Sequence, residues 1–168
     1  MSEIPDILYF YDFLIREEEL TPWHAGHVVK TLLTAWEHFD SDPAEVDTAS
    51  IEEYATLLPH WKKGVFTAAI ASWRKFTTLG EKARYSDARV PVRFIGELLG
   101  VNKNSRPLRW FTYYCVEKGL SPESFAEPYG CRAILLVPVE FYLYAKRMKE
   151  EDDARWLPNP FVTVKKEV

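Results

Sequence analysis

Residues 21–40 read TPWHAGHVVKTLLTAWEHFD, and this stretch decides the fold class. Its apolar residues recur three and four positions apart, which is the period of one face of an α-helix. Thr21 supplies a hydroxyl that can cap free amide groups, and Pro22 suits a first helical turn, where its missing N–H costs nothing. The polar cluster from Asp40 to Pro43 is typical of a turn. The stretch therefore predicts an amphipathic helix that ends near Phe39.

The same spacing recurs along most of the 168 residues and predicts a mainly α-helical protein built from small bundles. The polar residues 80–91 form the predicted boundary, so we expect a SAM-like four-helix part over residues 1–82 and a second small helical domain or extension over residues 83–168. The apolar run 133–137 is too short for its period to decide, and it fits either the last helix or a buried strand. The predicted helices cover residues 7–18, 21–39, 50–58, 61–79, 92–99, 105–118 and, from either 134 or 138, the residues up to 155.

Charge is distributed unevenly along the chain, although its formal net value is only −4. Residues 1–61 carry 13 acidic and 2 basic side chains, residues 62–109 carry 3 acidic and 11 basic ones, and the remainder carries 9 and 8. The three segments therefore have net charges of −11, +8 and −1, which sum to −4. Such asymmetry indicates either an electrostatically steered partner or acidic and basic parts that neutralise each other within the fold or an oligomer.

The motifs that would indicate catalysis or a cofactor are missing from the sequence. The seven glycines show neither the GxGxxG nor the GxxxxGKS spacing that cradles phosphates. His24 and His27 are three residues apart, but no third metal ligand accompanies them, so a surface pair is favoured. Acid pairs such as Asp152 and Asp153 lie in charged runs, where we expect solvated carboxylates. We therefore predict no enzyme, no metal, no cofactor and no small-molecule substrate.

Neither a membrane span nor a secretion signal is indicated. No apolar stretch approaches the roughly 18 residues that a span needs. The first residues include Glu3 and Asp6, whereas a signal peptide begins with basic residues. The sequence thus predicts a cytoplasmic protein without a membrane partner.

The N-terminal half carries a set of helix caps and core residues in a recognisable order. In this order, about residues 10–80 resemble the N-terminal core-binding, SAM-like domain of the tyrosine recombinases, which include phage integrases and Xer-type proteins. The matching residues are Leu20, Thr21, Pro22, Trp36, Phe39, Pro43, Val46, Ile51, Tyr54, Ala69, Trp73, Phe76 and Gly80.

The resemblance implies a helical module that grips one face of a DNA duplex through basic helices. Lys62, Lys63, Arg74 and Lys75 stand at the matching positions. The family's catalytic domain, with its Arg-His-Arg constellation and nucleophilic tyrosine, has no counterpart in this sequence, where no HxxR motif occurs. The resemblance therefore does not imply recombination.

The first functional hypothesis is a non-catalytic DNA-binding module of the mobile-element type. It would lay the basic segment 62–109 along the phosphates of double-stranded DNA, and its affinity would fall steeply with added salt. The predicted contact residues are Lys62, Lys63, Arg74, Lys75, Lys82, Arg84, Arg89, Arg93, Arg106 and Arg109.

The alternative hypothesis is a helical protein-interaction module, that is, an adaptor, an inhibitor or a self-assembling subunit. Its acidic N-terminal half would dock on a basic surface, which segment 62–109 of a second copy could supply. The aromatic side chains Trp23, Trp110, Tyr113 and Trp156 lie outside the clear core stripes, and aromatic residues are enriched at protein interfaces.

Overall fold

A computed structural model describes residues 3–155, so the predictions for Trp156 and for the end of the second part lie outside the described residues. Within that range the protein is mainly helical, as predicted, with one small sheet. The helices are α1 Asp6–Arg16, α2 Pro22–Phe39, α3 Thr48–Thr56, α4 His60–Leu79, α5 Val92–Leu98, α6 Ser105–Lys118 and α7 Phe141–Arg155, and the strands are β1 Arg89–Pro91, β2 Ala126–Tyr129 and β3 Arg132–Pro138. None of the described helices is long and apolar enough to cross a membrane.

Local capping chemistry sets the helix boundaries. The Thr21 hydroxyl accepts a hydrogen bond from the His24 amide at 3.2 Å, which confirms the predicted start of α2. Helix α3 begins two residues before the predicted position, because the Asp47 carboxylate accepts bonds from both the amide and the hydroxyl of Ser50. A side-chain acceptor of this kind satisfies amide groups that have no partner within the helix.

Helices α1 to α4 enclose an aromatic core. Phe10 of α1 lies edge-on to Trp73 of α4 with ring centroids 5.0 Å apart, and it packs against Phe76 at 5.4 Å. The Trp73 indole N–H donates to the Asp42 carboxylate at 2.7 Å, so this large side chain is buried without leaving its polar group unsatisfied. These contacts fix α4 against α1 and against the turn that follows α2.

The sheet is antiparallel, and its strands lie in the order β1-β3-β2. Val90 pairs with Val137, and Ala126 pairs with Leu135. Of the two possibilities that the sequence left open, the apolar run 133–137 therefore forms a strand, in which Leu136 and Val137 are buried, and the last helix begins only at Phe141. Three-residue β1 and four-residue β2 each contain a proline, so their sequences carry no strand period.

The two parts of the chain meet where α1 packs on β1. Asp12 of α1 is buried, and its carboxylate accepts a hydrogen bond from the Arg89 amide of β1 at 3.0 Å. Burial raises the pKa of Asp12 above its ordinary value, against the opposing effects of that hydrogen bond and of Arg16. The buried apolar residues form one cluster that runs from Ile4 to Ala145 and crosses the predicted boundary at residue 82. The division into two domains stays a prediction.

Candidate nucleic-acid interface

The ten predicted contact residues are spread over several elements. Lys62 and Lys63 are exposed in the first turn of α4, and Lys82 is exposed in the turn Gly80–Ala83. Among residues 3–155, the ammonium groups of these three lysines take part in no ion pair or hydrogen bond. The other seven are held by partners within the chain: Arg74, Lys75, Arg84, Arg89, Arg93, Arg106 and Arg109.

Part of the basic segment neutralises the acidic N-terminal helix. Arg84 lies 2.9 Å from the Asp6 carboxylate and also donates to the carbonyl of Gly80. Lys75 lies 3.6 Å from Glu18. Acidic and basic side chains therefore partly neutralise each other where α1 and the end of α4 meet. This is the second of the two explanations that the sequence allowed for the uneven charge.

The Arg89 side chain connects the strands of the sheet through hydrogen bonds. Its guanidinium donates to the carbonyls of Leu136 and Phe125, each at 2.7 Å, and pairs with Glu127 at 3.0 Å. These bonds link β1, β3 and the turn before β2. A side chain with three such partners would have to break them before it could reach a phosphate.

Arg106 and Arg109 of α6 share the carboxylate of Asp152 on α7, at 3.6 and 3.7 Å. The same carboxylate accepts the indole N–H of Trp110 at 3.0 Å. Asp152 and Trp110 are both buried, so the expectations of a solvated Asp152 and of a Trp110 outside the core are wrong. The indole hydrogen bond and the two guanidinium groups stabilise a carboxylate that the sequence places in a charged run.

Six residues, 99–104, join helices α5 and α6, and the first of them form a turn. The Val101 amide donates to the Gly96 carbonyl and the Gly100 amide to the Glu97 carbonyl, which closes α5, while Gly100 adopts a φ of +74°. Beyond the turn, α6 packs closely on α5. A Cβ on Gly96 would lie 2.6 Å from Cγ of Pro107, so only glycine allows this approach.

The outer face of α6 carries polar and apolar groups together. Ser105, Arg109 and Thr112 are exposed near its start, and the Thr112 hydroxyl donates to the Leu108 carbonyl at 3.0 Å. Farther along, Val116 is 76% exposed. After α6 the chain forms the hairpin β2–β3, whose tip holds Gly130 at a φ of +67°.

Two of the clefts along α2 each contain one of the predicted residues. The first cleft, of about 350 Å³, lies between α2, α5 and β3 and includes Arg93. The second, of about 480 Å³, lies between α2, α3 and α4 and includes Lys62. The structure thus brings Lys62 and Arg93 to the two sides of α2, with Lys30 lining both clefts.

Sequence reasoning missed the cations that face these two residues. Lys30 and Arg132 lie outside segment 62–109, so a count of charge by segment could not select them. The one sequence signal for this region was Trp23, which lies outside the clear core stripes. In the structure its ring lies 5.8 Å from the Arg132 guanidinium carbon. In the part of the chain that is described, no group of three or more metal-ligating side chains stands together.

Comparison with protein-family models, with curated proteins and with solved structures finds no match to this chain.

Proposed function

We propose that the protein is a non-catalytic DNA-binding module that presents α6 to the major groove of a duplex. The observation that carries this proposal is the order β1, α5, α6, β2, β3, with β1 and β2 on either side of β3. A helix pair with a glycine turn, followed by a hairpin, is the arrangement of a winged helix-turn-helix, in which the second helix enters the major groove.

The exposed side chains of α6 suit base edges and phosphates. Ser105 and Thr112 supply hydroxyl groups, which can donate to or accept from bases, and the side chain of Arg109 is 53% exposed despite its pairing with Asp152. Arg93 at the start of α5 and Arg132 at the hairpin tip are exposed cations next to this unit. They are the groups that we assign to phosphates.

The resemblance of about residues 10–80 to recombinase core-binding domains belongs to the same proposal but assigns the contact to α4. The two versions make different predictions for matched threonines. Thr112 on α6 and Thr67 on α4 are both exposed, and each hydroxyl donates to the carbonyl four residues before it, at 3.0 and 2.9 Å. Glutamate at either position keeps the helix and adds one negative charge.

Fluorescence anisotropy with a labelled duplex tests the proposal. Thr112→Glu is expected to weaken binding about tenfold or more, because it repels phosphates and removes a groove contact. The duplex affinity of Thr67→Glu should stay within about twofold of wild type, since this variant adds the same charge on α4, away from the proposed contact. Two phosphate contacts, from Arg93 and Arg132, would give a log–log salt slope of about −1.8, or about a 12-fold loss between 50 and 200 mM salt. Absence of duplex binding at low salt, or a larger loss for Thr67→Glu, would overturn the assignment to α6.

A second candidate function is protein interaction, and one observation favours it. Leu108, Tyr113 and Val116 are exposed apolar side chains on α6, and Leu143 of α7 is also exposed. Exposed apolar patches mark docking surfaces in many proteins. Sedimentation without nucleic acid at two salt concentrations separates the candidates. Self-association through these apolar side chains would persist at the higher salt concentration, whereas DNA binding would be lost there.

A further inference from the structure

We propose that a strip along α2 binds single-stranded nucleic acid. The α2 strip consists of Trp23 and Lys30 on α2, Trp61 and Lys62 on α4, Arg93 on α5 and Arg132 on β3. This proposal goes beyond duplex recognition and does not depend on α6, because no residue of α6 lines either cleft.

The strip is continuous across α2. His27 and Lys30 line both clefts, so the two cavities share these side chains as part of their walls. Trp23 and Lys30 are seven residues apart on one helix, which corresponds to about 10 Å along its axis. A flexible strand can therefore pass over α2 and place a nucleotide in the cleft on each side.

The charge of the strip is opposite to that of the whole chain. Its four cations are Lys30, Lys62, Arg93 and Arg132, and in the described part of the chain Glu97 is the one carboxylate that lines either cleft. Glu97 lies 3.3 Å from Arg93. The protein as a whole has a formal net charge of −4, so this face is a local site for anions.

Two exposed tryptophan rings distinguish this strip from a site that binds phosphate groups alone. Trp23 is 43% exposed and Trp61 is 71% exposed, although most aromatic residues in the described range 3–155 are buried. The Lys62 ammonium lies 5.2 Å from the Trp61 ring, and Arg132 is placed similarly over Trp23. An exposed indole beside a cation is a stacking platform for a base with a neutralising group for its phosphate.

An unpaired strand fits this combination better than a duplex does. The faces of paired bases are covered by their neighbours, so an indole can stack only on a base that is free of the helix. Single-stranded DNA and single-stranded RNA offer the same bases and phosphates. The strip contains no group that we assign to a 2′-hydroxyl, so we expect it to accept both.

Anisotropy titrations with labelled oligo(dT) and oligo(U) of about 12 nucleotides test the proposal, this length being within the range that one such site covers. Trp61→Ala and Trp23→Ala should each weaken binding about tenfold, since one base loses its stacking partner. Lys30→Glu combined with Lys62→Glu should weaken binding by more and flatten the salt dependence, which we expect to have a slope of about −2.8 in wild type from four phosphate contacts.

Matched controls come from exposed residues outside the strip. Leu57 at the end of α3 is 70% exposed, and Leu57→Ala should leave strand binding unchanged. Lys146 of α7 is exposed but lines neither cleft, so Lys146→Glu should have at most a twofold effect. Circular dichroism of each variant confirms that it is folded.

The outcomes separate this proposal from duplex recognition. Loss of strand binding in the tryptophan variants, with duplex binding through α6 retained, supports the α2 strip. Strand binding that survives both tryptophan substitutions, strand binding that Leu57→Ala weakens equally, or no binding of either oligonucleotide at low salt overturns it. The Thr112→Glu variant should bind single strands as wild type does, whether or not the protein binds a duplex.

Discussion

Replacement of Asp152 by alanine is expected to loosen the contact between α6 and α7. The buried Asp152 carboxylate accepts the Trp110 indole N–H at 3.0 Å and lies within 3.7 Å of both Arg106 and Arg109. Its removal leaves the indole N–H buried without its acceptor. It also leaves two neighbouring guanidinium groups without their shared counter-charge.

Most of the expected loss in the free energy of unfolding comes from the hydrogen bond of the Trp110 indole. A hydrogen bond to a charged acceptor contributes about 1.5–3 kcal/mol, because the donor stays desolvated when the acceptor is lost. The guanidinium side chains are 30% and 53% exposed, so water replaces much of their lost attraction and each adds at most about 1 kcal/mol. We therefore expect Asp152→Ala to lower the free energy of unfolding by about 2–4 kcal/mol.

Urea denaturation followed by tryptophan fluorescence and by far-UV circular dichroism measures the effect. Asp152→Asn keeps an oxygen acceptor for the indole and should cost less than Asp152→Ala. Trp110→Phe removes the donor, and in the double variant the two losses should be less than additive. A change below about 0.5 kcal/mol for Asp152→Ala, which is ordinary for an exposed surface position, would refute the reasoning.

Two further predictions concern a close helix contact and a buried acid. Gly96→Ala should destabilise the protein by about 1–3 kcal/mol in urea, because the new Cβ would lie 2.6 Å from Cγ of Pro107. Gly64→Ala in α4, where an added Cβ meets nothing within 4 Å, should instead stabilise the protein by up to about 1 kcal/mol. Burial raises the pKa of Asp12, so the folded state binds its proton more tightly than the unfolded state does. The free energy of unfolding should therefore fall as pH rises from the ordinary aspartate pKa through the raised one, and the difference between wild type and Asp12→Asn, measured by urea denaturation across this range, should show that slope. A difference that does not vary with pH would contradict this assignment.

The helices could be predicted because the signals that form them are local. Thr21 and Pro22 begin α2 through groups within one turn, and Gly119 ends α6 in a left-handed conformation, as its position after Lys118 suggests. The buried residues Val29 of α2 and Ala69 and Phe76 of α4 follow the helical period that predicted these helices. These features require no knowledge of distant residues.

The sheet and the pairing of charges could not be predicted, because they depend on residues far apart in the sequence. Strand β1 exists only because β3, almost 50 residues later, supplies its hydrogen-bond partners. Arg84 was predicted to contact phosphate, but it pairs with Asp6, which is 78 residues away. Segmental charge shows how many cations a region holds and gives no information about which of them face solvent.

The candidate site illustrates the same limit. Lys62 and Arg93 were predicted as contact residues, and they line clefts on opposite sides of α2. Arg132 joins them only through the hairpin β2–β3, which the sequence did not reveal. The arrangement of α5, α6 and the hairpin likewise depends on the pairing of β1 with β3, which lie far apart in the sequence.

Amide NMR of the isotope-labelled protein during titration with a DNA duplex tests the central claim most directly. We predict that chemical-shift changes at low salt concentrate on residues 103–116 of the turn and α6 and on the hairpin tip at residues 130–132, and that they disappear as salt is raised. Changes confined to α3 and α4, or an unaltered spectrum at a saturating duplex concentration, would contradict the proposal that α6 reads DNA.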